Sequence, residues 1–415
     1  MPQWKRNVYV LWVAVFIASI CWTSVMPFFP VYLQQMGVQR GVEFWAGIII
    51  SLASVCSMIM SPVWGAVGDR YGRRMMILRA GIFLVAGYVL VALVRNAWEL
   101  ALVRMMIGAL TGFVPMAVAL VGVSTPQAEV GRALGFIQTA WPSGAIIGPV
   151  VGGVALDLVG IRGSSWASAA LMAVTTAAVF LTVREEFERP PAAARSIFSD
   201  LRVAAGHRLL MSVVVITAVS QAAVMALEPV LVPFVQEIAG ANAPGWLSGF
   251  LYALPGVAFV AMATWWARRG ESIGYTRTVA AGLGLSALFY VPQALVRGPW
   301  QLGVLRLGSG VVGAAIGPGV AALLALEVPR DLRGRAYGLN QAASAAGAII
   351  GPLLGGYAGS FVNPRSVFIL IALMYAFGYV WTKRTVERLV SGSVPAVAGA
   401  GVAAGQGSYK GDACE

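Results

Sequence analysis

The sequence predicts an all-α membrane protein of about twelve transmembrane helices, built as two six-helix bundles related by a parallel repeat. Three observations predict it: charge is scarce, apolar stretches of membrane-spanning length recur along the chain, and the second half repeats the first. Of 415 residues, 59% are hydrophobic and only 11% charged, and the mean hydropathy is +0.79. A soluble chain carries roughly 25% charged residues. The deficit implies that lipid replaces water around much of the surface.

Apolar stretches run at roughly 8–30, 44–66, 75–95, 98–121, 133–155 and 164–183. After a polar interval they resume at roughly 209–235, 246–267, 278–296, 300–325, 336–358 and 365–382. The first follows the short basic stretch Met1–Arg6 and continues through Trp12, Phe16 and Trp22 to Pro27. It is too long for a signal peptide and no small-residue cleavage site follows, so it reads as a retained span. The connecting loops alternate in charge. Arg40, Arg95, Arg162, Arg297 and Arg365 fall on one side, Arg104 and Arg306 lie inside spans, and every other Lys and Arg falls on the opposite side. Lys and Arg resist translocation, so the basic side, with both termini, is expected in the cytoplasm of an inner membrane. The domains expected are 1–184 and 209–388 as the two bundles. A cytoplasmic linker, 185–208, joins them, with a short amphipathic segment through Ile197–Leu201. The Gly/Ala/Ser tail, 389–415, lacks the apolar area to order itself.

The net charge of +12 does not point to nucleic acid, because the basic residues sit in short inter-span clusters and form no continuous face. Three cysteines (Cys21, Cys56, Cys414) without CxxC spacing and a single histidine, His207, support neither a disulfide framework nor a metal site.

The halves repeat at one shift of about 203 residues. Gly131-Arg132-Ala133-Leu134-Gly135 recurs as Gly334-Arg335-Ala336-Tyr337-Gly338, and Gly144-Ala-Ile-Ile-Gly148-Pro149 as Gly347-Ala-Ile-Ile-Gly351-Pro352. Gly152-Gly153 returns as Gly355-Gly356, Gln138 as Gln341, and Arg104 as Arg306 within one residue. An even number of spans per half gives both halves one orientation. Transporters with such repeats bind substrate between the halves near the bilayer midplane.

Several motifs carry a resemblance. Gly65-Ala-Val-Gly68-Asp69-Arg70-Tyr71-Gly72-Arg73-Arg74 joins spans two and three. Its glycines suit a tight turn, and Asp69 is placed to cap span three and pair with an arginine, a latch able to open and close. Its second-half counterpart is degenerate, with Glu271 the stand-in acid. In span five, Gly144, Gly148, Pro149, Gly152 and Gly153 form a flat, bendable face for close helix approach, and the repeat adds Gly347, Gly351, Pro352, Gly355 and Gly356 in span eleven. Span four carries Arg104-Met-Met-Ile-Gly108. The chain resembles the major facilitator superfamily, in particular its multidrug:proton antiporter branch, nearly throughout to Arg388.

The resemblance implies export of small lipophilic molecules or drugs by alternating access, hence antibiotic resistance. It also implies energy from the proton gradient with no cofactor, protons and a small-molecule substrate as partners within the lipid bilayer, a monomer, and no enzymatic activity. It assigns Arg104, and by repetition Arg306, to proton coupling. Arg104 sits only about 8 Å of helix rise from Glu99, so snorkelling to the outer interface is the competing reading.

Glu228 is the one carboxylate within an apolar span, in Met225-Ala-Leu-Glu228-Pro229. Its charged form is costly there, so it is the candidate proton carrier or contact for a cationic substrate, with an interfacial position as the alternative. Asp157 is a weaker candidate near the outer surface. The expected cavity lining is Trp22, Met26, Phe28, Phe113, Gln138, Trp141, Gln221, Met225, Tyr252 and Gln341, an adaptable aromatic and methionine surface. A carrier of sugars or other metabolites is the near alternative, and would show more polar residues within the spans. A membrane-embedded enzyme is remote, because the spans lack a catalytic constellation.

Overall fold

The computed structural model describes residues 1–185, 208–328 and 332–392. Most of the 185–208 linker, including Ile197–Leu201, and most of the 389–415 tail lie outside the described residues. Every rod follows an apolar stretch read from the sequence. They are α1 (Gln3–Val25, prolonged by Phe29–Gln35), α2 (Val42–Tyr71), α3 (Arg73–Leu93) and α4 (Ala97–Leu110, then Phe113–Ser124). Next come α5 (130–159) and α6 (161–182), which run on as one 53-residue stretch except that Gly160, at φ 68° and ψ 177°, turns the chain between them. The second half holds α7 (Arg208–Ala226, then Leu231–Ala239), α8 (Gly245–Ile273), α9 (Tyr275–Gln293) and α10 (Pro299–Gly313, then Ile316–Glu327). It ends with α11 (Arg333–Phe361) and α12 (Ser366–Trp381). Among the described residues, ten helical stretches are long and apolar enough to cross a membrane. The α5–α6 stretch counts there as one, and α9 is not among the ten.

Proline shapes both founding helices. Pro27 lies in a 3-10 turn, Met26–Phe28, that interrupts α1, and Pro229 lies in the turn between the two parts of α7. Proline removes a backbone donor, so the helix loosens at equivalent points in each half.

Each half has its own apolar core. Leu11, Ile49, Ile77, Leu100 and Leu120 centre the first, and Leu210, Leu251, Leu283, Leu302 and Phe368 the second. Between such cores the hydrophobic effect is weak in lipid, so close backbone contact must hold helices together. The glycine motifs supply it, and they split into two faces. Gly144, Gly148 and Gly152 press on α1, where an added Cβ would overlap Phe16, Ser19, Thr23 and Ser24. Gly347, Gly351 and Gly355 press on Ala218, Ala222, Met225 and Ala226 of α7 in the same way. Gly153 instead meets Gly245 of α8, Pro149 meets Gly249, and Pro352 and Gly356 meet Gly47 and Glu43 of α2. One face therefore builds each bundle, and its neighbour joins the bundles through the pairs α5–α8 and α2–α11.

These inter-half contacts run from mid-helix, at Ile146–Gly256 and Ser51–Ile349, to the end distant from the chain's start. Towards the basic end, glycines 65, 131, 135, 334 and 338 have open space where a Cβ would stand. The halves touch at the far end and part towards the basic one.

Candidate functional site

Two cavities lie near where the halves part. The larger, about 530 Å³, is formed mainly by α7, α8, α10 and α11 of the second half and closed by Pro142, Ala145 and Ile146 of α5. The smaller, about 270 Å³, lies within the first half among Trp22, Trp64, Phe113 and Trp141. Both are predominantly apolar, with polar edges. Thr217, Ser220, Gln221, Arg306 and Asn340 border the larger, and Ser57, Ser61 and Thr111 the smaller.

The break in α7 presents Glu228, which is buried at 6% exposure. Its Oε1 accepts a hydrogen bond from the Tyr252 hydroxyl at 2.6 Å, while Oε2 has no partner among the described residues. Tyr252 lines the larger cavity, so the carboxylate stands one side chain behind the cavity wall. Arg104, from the other half, lies within electrostatic reach of Glu228. At 6% exposure Glu228 faces the protein interior.

The two intramembrane arginines are buried as well, Arg104 at 1% and Arg306 at 5% exposure. The Arg104 guanidinium lies 4.4 Å from the Trp22 ring centroid and 4.9 Å from that of Phe29. The rings offer their negative faces to the cation. Arg104 therefore turns inward and does not snorkel. Arg306 donates through Nε to the Leu251 carbonyl at 2.7 Å and through Nη2 to that of Tyr252 at 3.4 Å. It holds the α8 segment that carries Tyr252, and it lines the larger cavity.

At the basic end, Gly72 adopts φ 95° and ψ 142° at the start of α3, a conformation that glycine reaches without a Cβ penalty. Gly274 at the start of α9 does the same, at φ 90° and ψ 138°, so the degenerate second loop keeps its backbone. Asp69 is salt-bridged to Arg73 at 2.8 Å, with its side chain 59% exposed. It does not cap α3, as the sequence suggested. Glu185 does, accepting the Arg73 and Arg74 backbone N–H groups at 3.0 and 2.7 Å. A carboxylate stabilises a helix N-terminus from any point in the chain, and α6 ends beside this one. Arg74 donates to the Phe180 carbonyl at 2.7 Å, and Arg70 lies over the Tyr71 ring. Gly65 meets no close neighbour and Glu271 is exposed.

Of the expected cavity residues, Trp22, Phe113 and Trp141 line the smaller cavity, and Gln221 and Tyr252 the larger. Met26 and Phe28 are instead buried in the first core, and Met225 packs against Gly351. Gln138 and Gln341 are exposed and border neither cavity. The amide at the larger cavity is Asn340, which accepts from the Thr217 hydroxyl at 2.6 Å. One residue along a helix turns a side chain by about 100°, enough to move it off the wall. Asp157, expected as a weak coupling acid, accepts the backbone N–H groups of Gly245 and Trp246 at 2.7 and 3.0 Å. The repeat also extends to pairs that the motif comparison missed. Trp64 and Trp266 donate to the Ala109 and Val311 carbonyls at 2.6 and 2.7 Å, and Arg162 and Arg365 donate to those of Val94 and Val296 at 3.3 and 3.0 Å. Their matching spacing in the sequence, 45 residues in both tryptophan pairs and 68 against 69 in the arginine pairs, was the available signal.

Known proteins match this architecture. A family model described as Major Facilitator Superfamily matches residues 11–292 and, separately, 248–403. Multidrug resistance protein MdtG of Enterobacter lignolyticus is 33% identical over 400 residues, covering 95% of each chain. The protein of that name from Dickeya zeae is 34% identical over 388 residues, covering 91% of this chain and 94% of its own. Among solved structures, a bacterial homologue of the human lysosomal transporter Spinster, inward-facing and unoccupied, superimposes with a TM-score of 0.79. It has 12% identity and covers 94% of this chain and 98% of its own. The nucleoside transporter NupG gives a TM-score of 0.77 at 13% identity, over 91% and 99%. Two six-helix bundles crossing through glycine pairs, with cavities where they part, are the frame of a multi-pass transporter, and the chain belongs to the major facilitator superfamily.

Proposed function

We propose that this protein exports lipophilic small molecules, including drugs, across the inner membrane in exchange for protons, by alternating access. It has twelve spans, acts as a monomer, and keeps both termini in the cytoplasm. The names of its relatives support the drug-export part of this reading, since the alignments span nearly whole chains. The positive-inside rule supports the orientation. On that orientation the far end is the outside, and the halves here part towards the cytoplasm, ready to receive substrate. The predominantly apolar 530 Å³ cavity is of a size that suits a drug-sized ligand.

Glu228 carries the coupling part of the proposal. A buried carboxylate with one unpartnered oxygen, joined through Tyr252 to the cavity wall, is costly when ionised and stable when protonated. Arg104, on the opposite half, favours the ionised form when the halves bring the two together. A change of access that alters this approach changes the affinity for a proton, which links proton movement to substrate movement. Asp69, held here by Arg73 alone among the described partners, is free to latch onto the second half when the cytoplasmic side closes.

The test is ethidium export into everted vesicles with an imposed proton gradient. Uptake should collapse with an uncoupler. In Glu228→Gln it should lose its dependence on the gradient while ethidium still binds. Uptake that ignores the uncoupler would favour a facilitated carrier, a reading that the polar edge of Thr217, Ser220 and Asn340 accommodates.

A further inference from the structure

The far mouth of the protein is closed by two interactions that occupy matching places in the two halves. Asp157, at the end of α5, accepts the N–H groups of Gly245 and Trp246, the first two residues of α8. Ser360 stands at the corresponding place on α11. Its Oγ accepts the Phe44 N–H at 2.9 Å in the first turn of α2 and donates to Glu43 Oε2 at 2.9 Å. The first turn of a helix has N–H groups without intrahelical partners, and these are normally met by the side chain just before it. Here that residue is Gly41 for α2 and Pro244 for α8, and neither provides a side-chain cap. In both cases the cap comes from the opposite half.

The halves also approach closely at these two places. A Cβ on Gly153 would lie 2.6 Å from the Gly245 carbonyl carbon, and one on Gly356 would lie 3.0 Å from the Phe44 Cα. Parting the halves at this end would therefore uncap α2 and α8 together.

We propose that Asp157 and the Ser360–Glu43 pair are clasps that set the outward-opening equilibrium, a role that rests on the alternating-access reading above. They position the halves and do not touch substrate. Asp157 is the stronger clasp, because a carboxylate accepting two N–H groups makes charge-assisted bonds and the serine hydroxyl makes neutral ones. Asp157→Asn keeps the shape but loses the charge and one acceptor. It should raise the ratio of outward-open to outward-closed protein about fivefold, the factor that loss of a helix cap brings. Ser360→Ala should act in the same direction more weakly, and Asp157→Glu should recover most of the closed state.

The experiment measures distances between spin labels on Arg95→Cys and Arg297→Cys, exposed positions on opposite halves at this end. It uses the full chain in liposomes, with Cys56→Ser and Cys414→Ser. Growth of a longer-distance population in Asp157→Asn supports the clasp whether or not the melting temperature falls. A merely structural role would lower the melting temperature and leave the distances alone. If ethidium or acidification moves the wild-type distances while Asp157→Asn and the double variant with Ser360→Ala leave the populations unchanged, the clasp is overturned and alternating access stands. Distances fixed in every variant and condition would overturn alternating access and the clasp with it.

Discussion

Gly152 and Gly153 are neighbours on one helix, yet the structure predicts opposite consequences for the same substitution. At Gly152→Ala, the new Cβ would meet Ser24 Cα and its carbonyl carbon at 2.6 Å, within the first bundle. At Gly153→Ala, it would meet the Gly245 carbonyl carbon at 2.6 Å and the Trp246 Cα at 2.8 Å, across the bundles. Carbon atoms rest at about 3.5–4.0 Å, so each site must open by about 1 Å. Overpacking of this kind costs roughly 1–3 kcal/mol, less up to ~1 kcal/mol because alanine is the better helix former. In Gly152→Ala the cost falls on every conformation, since α1 and α5 stay together whichever way the protein faces. In Gly153→Ala it falls only on the state in which the far end is closed, and it shifts the conformational equilibrium by as much as roughly 150-fold. A thermal melt in detergent should show Gly152→Ala clearly less stable than wild type and Gly153→Ala close to it. The spin-label distances should show the reverse ranking. Equal loss of melting temperature in the two variants would refute the division of the glycine motif into a bundle face and a junction face.

Glu185→Ala should destabilise the first bundle by about 1 kcal/mol, because the N–H groups of Arg73 and Arg74 lose their acceptor; a thermal melt reads this directly. Asp69→Asn should lower the melting temperature less than Glu185→Ala does, because an exposed ion pair contributes about 0–1 kcal/mol, yet it should slow ethidium export if the latch engages in the other conformation. Trp64→Phe and Trp266→Phe each remove one hydrogen bond to a carbonyl, a loss of about 1 kcal/mol. The two should be alike in melts, and a large disparity would mean that the halves are not equivalent at these positions.

The order of the spans, their grouping in sixes and the duplication were legible because lipid imposes its rule locally. Each crossing needs about 20 apolar residues in a row, and a repeat preserves spacing even where sequence drifts. Glu228 was legible for the same reason, since one acid in a long apolar run stands out. Asn340 was overlooked and Gln341 preferred, because without the helix's rotational setting neighbouring amides cannot be told apart. Glu185 was assigned to the linker because its partner Arg73 is 112 residues away, and Asp157, which is exposed, was not read as a helix cap because its partner Gly245 is 88 residues away.

The sequence by itself determined that this chain lives in a membrane, which end of it is basic, and that its halves are copies. Those properties follow from solvent and charge acting on short stretches. Only the tertiary structure decided which glycines build a bundle and which join the two, that Arg104 lies on Trp22 and Phe29, and that two helices take their caps from the opposite half. Such contacts depend on the rotation and depth of helices remote in the chain, and no local rule of composition or spacing encodes them.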